Sequence, residues 1–166
     1  MPDLTFNVAL GREVELYNRV LNDDPVGCGL MVVVLAAGTG SFAIEDDSVL
    51  KDYETLGDVL DNNLEVTNTG YGRQVYAYTD LDPITIDHVR DRIVIALPAV
   101  TVWTLVDTGD TWAKAVVCYA DDSGASSDDY GVIPITGHDL IYQGSYVVPN
   151  GTNITMDLTA GFCQAQ

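Results

Sequence analysis

Basic side chains are scarce in this sequence. Seven Lys and Arg stand against 25 Asp and Glu in 166 residues, a net charge of −18. A surface that acidic repels phosphate and anionic lipid headgroups, so sequence-independent binding of DNA or RNA is excluded as a default. Cysteine is equally sparse: Cys28, Cys118 and Cys163 make an odd number with no CxxC spacing. A structural zinc site takes paired ligands at short spacing, and none is present. Cys28 and Cys118 lie in apolar stretches and read as buried thiols, while Cys163, near the end of the chain, reads as an accessible one. Long hydrophobic runs are also missing. The longest is GLMVVVLAA, from Gly29 to Ala37, far short of the about 20 residues that a membrane-spanning helix takes. The N-terminal MPDLTFNVALGR has neither the basic nor the apolar region of a secretory signal. The expectation is a soluble chain with neither a membrane nor a nucleic-acid partner.

What is there describes an ordinary core. Hydrophobic residues make up 47% and charged residues 19%, a balance that excludes wholesale disorder. A chain of this length buries roughly 68–70% of its unfolded surface and folds without disulfides or metal. Residues 1–166 are therefore read as a single domain, with Met1 to Asn7 short enough to act as an N-terminal arm.

Periodicity supplies the elements. Leu10, Val14, Tyr17 and Leu21 form an apolar stripe that predicts a helix over Asn7 to Leu21, with Gly11 an alternative start. Glu15 and Arg19 make a favourable pair on its other face. Leu30 to Ala37, with its three valines, predicts a buried strand. A second short helix is expected within Leu50 to Leu60, with Leu56, Val59 and Leu60 facing inward. Arg73 to Tyr78, Arg92 to Leu97, Thr101 to Val106, Trp112 to Tyr119 and Asn153 to Leu158 read as strands. Pro98 closes the second of these. Asn150-Gly151 is the strongest short hairpin signal and should join Tyr146–Val148 to Asn153–Leu158. The fold class follows: α+β, mainly antiparallel β in a sandwich or open barrel, with an N-terminal helix and one short second helix.

Candidate sites are few. Gly38-Thr39-Gly40-Ser41-Phe42-Ala43 fits G-x-G-x-x-A, yet Glu45, Asp46 and Asp47 follow at once and would repel a diphosphate. A glycine turn is the better reading. Asp121, Asp122, Asp128 and Asp129, with Ser123 and Ser126 between them, are weak candidates for calcium, which takes clustered oxygens. Their spacing is not that of an EF-hand. A solvated acidic loop is the default, and the same holds for Asp80, Asp82 and Asp87. Cys118 and His138 can be drawn as a thiol–imidazole pair, but Cys118 sits in the apolar AVVCYA, which favours burial and a raised thiol pKa. No GxSxG or HExxH occurs. The chain is therefore read as a non-enzyme without a cofactor or a metal. Tyr71, Tyr76, Tyr78 and Trp112 are interface candidates, since Tyr and Trp are enriched at interfaces. Trp103, inside a hydrophobic strand, is read as core.

The order of segments carries a resemblance. VELYNRVLNDDP, then the apolar strand, then LKDYETLGDVL, is similar to the first half of a group of small virion-associated proteins of tailed bacteriophages. DRIVIALPAVTVWTLVDTGDTWAKAVVCYADD, GVIPITGHDL and PNGTNITMDLTAGFCQA resemble the second half, with Gly70 to His88 matching only loosely. The resemblance is one of layout and brings no catalytic residues. It implies a structural virion protein, of the head-decoration or minor capsid type. Such a protein would be made in the bacterial host cytoplasm and assembled on the outer head surface. Its partners would be the major capsid protein and copies of itself in a homo-oligomer, with a trimer favoured by analogy. A neck or tail component is the alternative. Physical chemistry agrees with the outer surface: a chain at −18 would be repelled by packaged DNA, whereas an outward-facing charge aids solubility. Two further readings stand beside these: an acidic DNA-mimic inhibitor, from charge alone, and a calcium-dependent surface binder on a β-sandwich, from the aspartate loop and exposed aromatics.

Overall fold

The computed structural model describes residues 3–40, 43–89, 92–97, 100–122 and 128–165. The fold is α+β with mainly antiparallel sheets, as the sequence patterns predict.

The centre is set by two strands buried on both faces. β2 (Gly29–Ala36) and β7 (Trp112–Ala120) pair antiparallel over the whole length of β2, and every residue in both is buried. Burial on both faces is why GLMVVVLA and WAKAVVCYA are almost continuously apolar instead of alternating. β8 (Val132–Asp139) adds to β7, β1 (Leu4–Thr5) to β8, and β3 (Gln74–Tyr76) to β2, so the central sheet runs β1-β8-β7-β2-β3. The segment expected as an arm is thus, over Leu4–Thr5, an edge strand on its own sheet, followed by a fully buried Phe6. Met1 and Pro2 lie outside the described residues.

Alternate side chains of β2 and β7 feed two cores. Met31, Val33, Leu35, Val116 and Cys118 point toward Leu50, Leu56 and Val59. These last belong to α2 (Asp47–Leu50) and α3 (Leu56–Asn62), so the expected single short helix is two. Thr55 ends the linker and caps α3. Its Oγ1 accepts from the Asp58 N–H at 3.1 Å, and the Asp58 carboxylate accepts the Thr55 N–H at 3.1 Å. That reciprocal capping box fixes the start of the helix.

On the other face, Leu30, Val32, Val34, Ala115 and Val117 pack with α1 (Glu13–Leu21) and with two smaller sheets. α1 starts later than its stripe suggests because Gly11 takes φ +76, outside the helical region. Leu10 is exposed as a result, and Leu16, Tyr17 and Val20 form the buried face. The Glu15–Arg19 pair forms at 3.1 Å. One small sheet is a ribbon of β6 (Thr101–Val106) and β11 (Thr152–Met156). The other is β12-β5-β4, with β4 at Thr85–Asp87, β5 at Arg92–Ile95 and β12 at Cys163–Ala165. Ile154, Met156 and Leu158 face inward as expected, and Thr155 and Asp157 face out.

Two expectations are corrected here. β11 pairs with β6 and not with Tyr146–Val148. Gly151, at φ +84, donates its N–H to the Val106 carbonyl at 2.8 Å, so Asn150-Gly151 turns the chain onto β6. Cys163 is 3% exposed, because β12 is drawn in against β5 beside the buried Phe162. Cys28 and Cys118 are buried as expected. Pro98 lies outside the described residues.

Candidate functional site

One of the four aromatic interface candidates belongs to the interior, and two more are partly buried against it. Trp112 is fully buried, with its ring centroid 5.6 Å from that of Tyr71 and 5.1 Å from that of Trp103. Its Nε1–H donates to Asn68 Oδ1 at 2.9 Å, and Asn68 in turn donates to the carbonyls of Asp107 and Asp110. Tyr71 is half-buried in the same cluster. Its hydroxyl donates to Glu65 at 2.8 Å and accepts the Val34 N–H at 3.0 Å. Burial, then the Glu65 carboxylate, pushes its pKa well above the usual phenol range. Trp112 is core, which corrects its place among the interface candidates, whereas Tyr71 is only partly buried against the same cluster. Trp103 is core as expected, donating to the Gly72 carbonyl at 2.8 Å. Tyr76 is half-buried, with its hydroxyl 2.6 Å from Thr101 Oγ1. Tyr78 lies on the surface.

The aspartates expected in a loop are drawn into separate tasks. Arg73 lies between Glu65, at 2.7 Å, and Asp129, at 2.5 Å. Asp128 accepts the Tyr130 N–H at 3.1 Å and caps a short 3₁₀ turn. Asp121 and Asp122 are exposed at the end of β7, and Ser123 and Ser126 lie outside the described residues. Among the described residues no group of three or more His, Cys, Asp or Glu side chains is placed to hold a metal ion. The second acidic set is likewise dispersed: Asp80 accepts the Ala77 N–H at 2.9 Å and Asp87 pairs with Arg92 at 3.0 Å.

Cys118 and His138 do not meet. In the β7–β8 register Cys118 faces Pro134 and His138 faces Ala115, which separates them along the ladder by about 10 Å. Burial raises the Cys118 thiol far above its usual range, so it remains protonated and inert. The glycine-rich stretch is a turn at Gly38 (φ +59) and Gly40 (φ +62), with Ser41 and Phe42 outside the described residues. Among the described residues the next α-helix opens at Asp47.

Charge is organised instead by pairing. Arg12, Arg19, Lys51, Arg73, Arg92 and Lys114 each lie within 3.5 Å of a carboxylate of the same chain. Lys114 is the deepest, 3% exposed, with its Nζ held between Asp139 and Asp47, the latter at 3.0 Å. Burial works to lower its pKa, and the two carboxylates outweigh burial and raise it. The remaining acidic groups present an anionic exterior with little cationic relief.

One surface departs from that pattern. β8 continues through Leu140 into a hairpin of β9 (Ile141–Tyr142) and β10 (Ser145–Tyr146). The loop between them is Gln143-Gly144, with φ +53 and +81, the two positive values of a type I′ turn. The base is tied to β7: Leu140 N–H donates to the Ala113 carbonyl at 2.8 Å, and Trp112 N–H donates to the Val147 carbonyl at 2.8 Å. Beyond that base, Ile141, Tyr142, Tyr146 and Val148 are 56%, 70%, 42% and 66% exposed. Residues 140–156 carry no Asp, Glu, Lys or Arg. Strand patterning on that stretch does not reveal this combination. Its readable signal is the absence of charge itself, across two tyrosines, in a protein at −18. Depletion of charge with exposed aromatics is the composition of an interface core.

Comparison with family models, with curated proteins and with solved structures finds no match.

Proposed function

We propose that this chain is a structural virion protein of a tailed bacteriophage that decorates the outer surface of the head shell. The resemblance in segment order supports the class. The observation that carries the outward position is the pairing of cations. Arg12, Arg19, Lys51, Arg73, Arg92 and Lys114 are each engaged by a carboxylate of the same chain. A surface left anionic in this way disfavours contact with packaged DNA, whose phosphates demand accessible Lys and Arg. Facing solvent, the same surface is tolerated and opposes aggregation. On this reading the partner is the major capsid protein, and the assembled site is the virion exterior.

Quantitative mass spectrometry of purified particles tests the proposal. A copy number equal to that of the major capsid protein, or a simple fraction of it, is expected. Only a few copies per particle would move the chain to the neck or tail and overturn the decoration role. Absence from particles would overturn the virion reading altogether.

A further inference from the structure

A cleft opens between the hairpin and the start of α2. Glu45, Asp46, Asp47, Lys114, Asp139 and Tyr146 line it, and its volume is about 230 Å³. Four carboxylates stand there against one ammonium, so the cleft is anionic. The carboxylates are only partly engaged. Lys114 Nζ takes one oxygen of Asp47 and one of Asp139, and Tyr53 and Asn63 both donate to the same oxygen of Glu45. Asp46 stands at the N-cap of α2, where its side chain makes no capping bond. A second hollow, of about 320 Å³, runs along Ile141, Gly144, Ser145 and Tyr146. Ile141 and Tyr146 are cross-strand partners in the hairpin, so their side chains share one face. Tyr146 borders both hollows and joins them.

We infer that the two hollows form a docking groove for an extended segment of a partner protein, one that carries an arginine beside an apolar residue. Charge selects a cation: a cleft with three more carboxylates than cations attracts a basic group and repels an acidic one. Chemistry then chooses among cations. Among the described residues the acidic groups are not placed to hold a metal ion. An ammonium is a point charge, whereas a guanidinium offers carboxylates a planar fork of donors and stacks on an aromatic ring. Tyr146, 42% exposed, supplies that ring on the cleft wall. Residues 140–156 carry no charge, so the hollow along Ile141 receives an apolar neighbour without desolvating an ion. The β9–β10 pair has no third strand beside it among the described residues, which leaves backbone groups to bond an extended segment. An uncharged aromatic centre with a charged rim is the anatomy of a protein interface. The inference rests on the groove alone and not on the virion reading.

A chemical-shift titration of the nitrogen-labelled full chain tests it, in about 0.15 M NaCl, where the Debye length is about 8 Å and diffuse attraction is screened. The probe is the peptide acetyl-Gly-Ser-Arg-Val-Ser-Gly-amide, with a twin in which citrulline, close in shape and neutral, replaces the arginine. Saturable shifts are expected at the amides of Asp46, Lys114, Asp139 and Tyr146, with a dissociation constant of about 1 mM. The citrulline twin should bind about tenfold more weakly. Tyr146→Ser should weaken binding about fivefold, and Tyr146→Phe, which keeps the ring, should restore it. Asp46→Asn should weaken it about threefold. Asp82→Asn removes an exposed carboxylate beside α1, on the other face of the central sheet, and should change nothing. The dispersion of the same spectra checks that each variant folds. Shifts spread over the whole acidic surface, with Asp82→Asn as damaging as Asp46→Asn, would mean diffuse attraction and overturn the inference. Equal binding of the citrulline twin overturns it too, as does the lack of any saturable shift at about ten times the expected constant. Calcium chloride reproducing the same shifts below about 1 mM would make the cleft a metal site and overturn the docking role.

Discussion

Trp103 of β6 and Trp112 of β7 meet edge to face, with ring centroids 5.1 Å apart and planes at 87°. Through this contact the β6–β11 ribbon is fixed to the central sheet. Each indole N–H has its own acceptor, Gly72 carbonyl for Trp103 and Asn68 Oδ1 for Trp112. The pair is therefore a structural joint with its polar atoms satisfied, which is what lets two large amphipathic rings sit in a core.

Removing the ring and removing its acceptor should separate two costs at that joint. Trp112→Ala leaves a cavity and should destabilise by about 3–5 kcal/mol. Asn68→Ala keeps the ring but strands a buried N–H, and should cost about 1–3 kcal/mol. Urea denaturation gives both values. A smaller cost for Trp112→Ala than for Asn68→Ala would contradict the packing described here.

The elements that were legible in sequence are those whose burial is uniform. β2 and β7 announce themselves as apolar runs because both faces of each are covered, and α3 is marked by Thr55 and Asp58 at capping-box spacing. Pairing was less legible. Asn150-Gly151 is a sound turn signal, but a turn does not say which strand the chain rejoins, and β6 lies far away in sequence. Aromatic candidates were misjudged for a related reason. Tyr and Trp serve cores and interfaces alike, and only the acceptors at Asn68, Gly72 and Glu65, none of them predictable from local pattern, decide for Trp112, Trp103 and Tyr71. The exposed hairpin was legible in principle, through the missing charge of residues 140–156.

The strand β6 holds a break in alternation that yields a second prediction. Thr152 pairs with Val106 and Ile154 with Trp103, so Thr104 and Leu105 together oppose Asn153 alone. Leu105 occupies the bulge at φ +50, 70% exposed, with its N–H donated to Asn153 Oδ1 at 3.0 Å. The bulge turns Leu105 outward and restores Val106 to the core. A leucine in the left-handed region costs about 1–2 kcal/mol, and its side chain buries little in return. Leu105→Gly should therefore be neutral or stabilising by up to about 1 kcal/mol in a thermal melt. Gly70→Ala should destabilise, since Gly70 is at φ +87 and an added Cβ would lie 2.7 Å from the Leu105 carbonyl oxygen.

Lys114 gives an asymmetry that charge counting alone would miss. The cation is buried, while its partners Asp47 and Asp139 keep 43% and 36% of their side chains in solvent. Lys114→Met leaves two carboxylates that water can still reach, and should cost about 1–2 kcal/mol. Asp47→Asn with Asp139→Asn leaves a buried ammonium without its counter-charges, and should cost about 3–5 kcal/mol. Denaturant midpoints at neutral pH test the order. The reverse order would mean that the ion triad is weaker than its burial implies.

His138 makes stability depend on pH in a defined window. It is 7% exposed at the end of β8, with its Nε2 3.0 Å from Thr136 Oγ1. Burial is the main cause that lowers its pKa from 6.5 to about 4. Lys114 acts in the same direction, while Asp3 and Asp139 oppose it. A base with a depressed pKa binds its proton more readily when unfolded. Its contribution is then fully present above the unfolded value of about 6.5, and is lost as pH falls toward the folded value. Between about pH 7 and about pH 5 the loss from this one group amounts to about 2 kcal/mol. Urea unfolding of the wild type should show this decline, and His138→Gln, which has no proton to gain, should flatten it. An equal decline in both proteins would mean that the acid sensitivity arises elsewhere, and that the imidazole is better solvated than its place beside Thr136 and Lys114 requires.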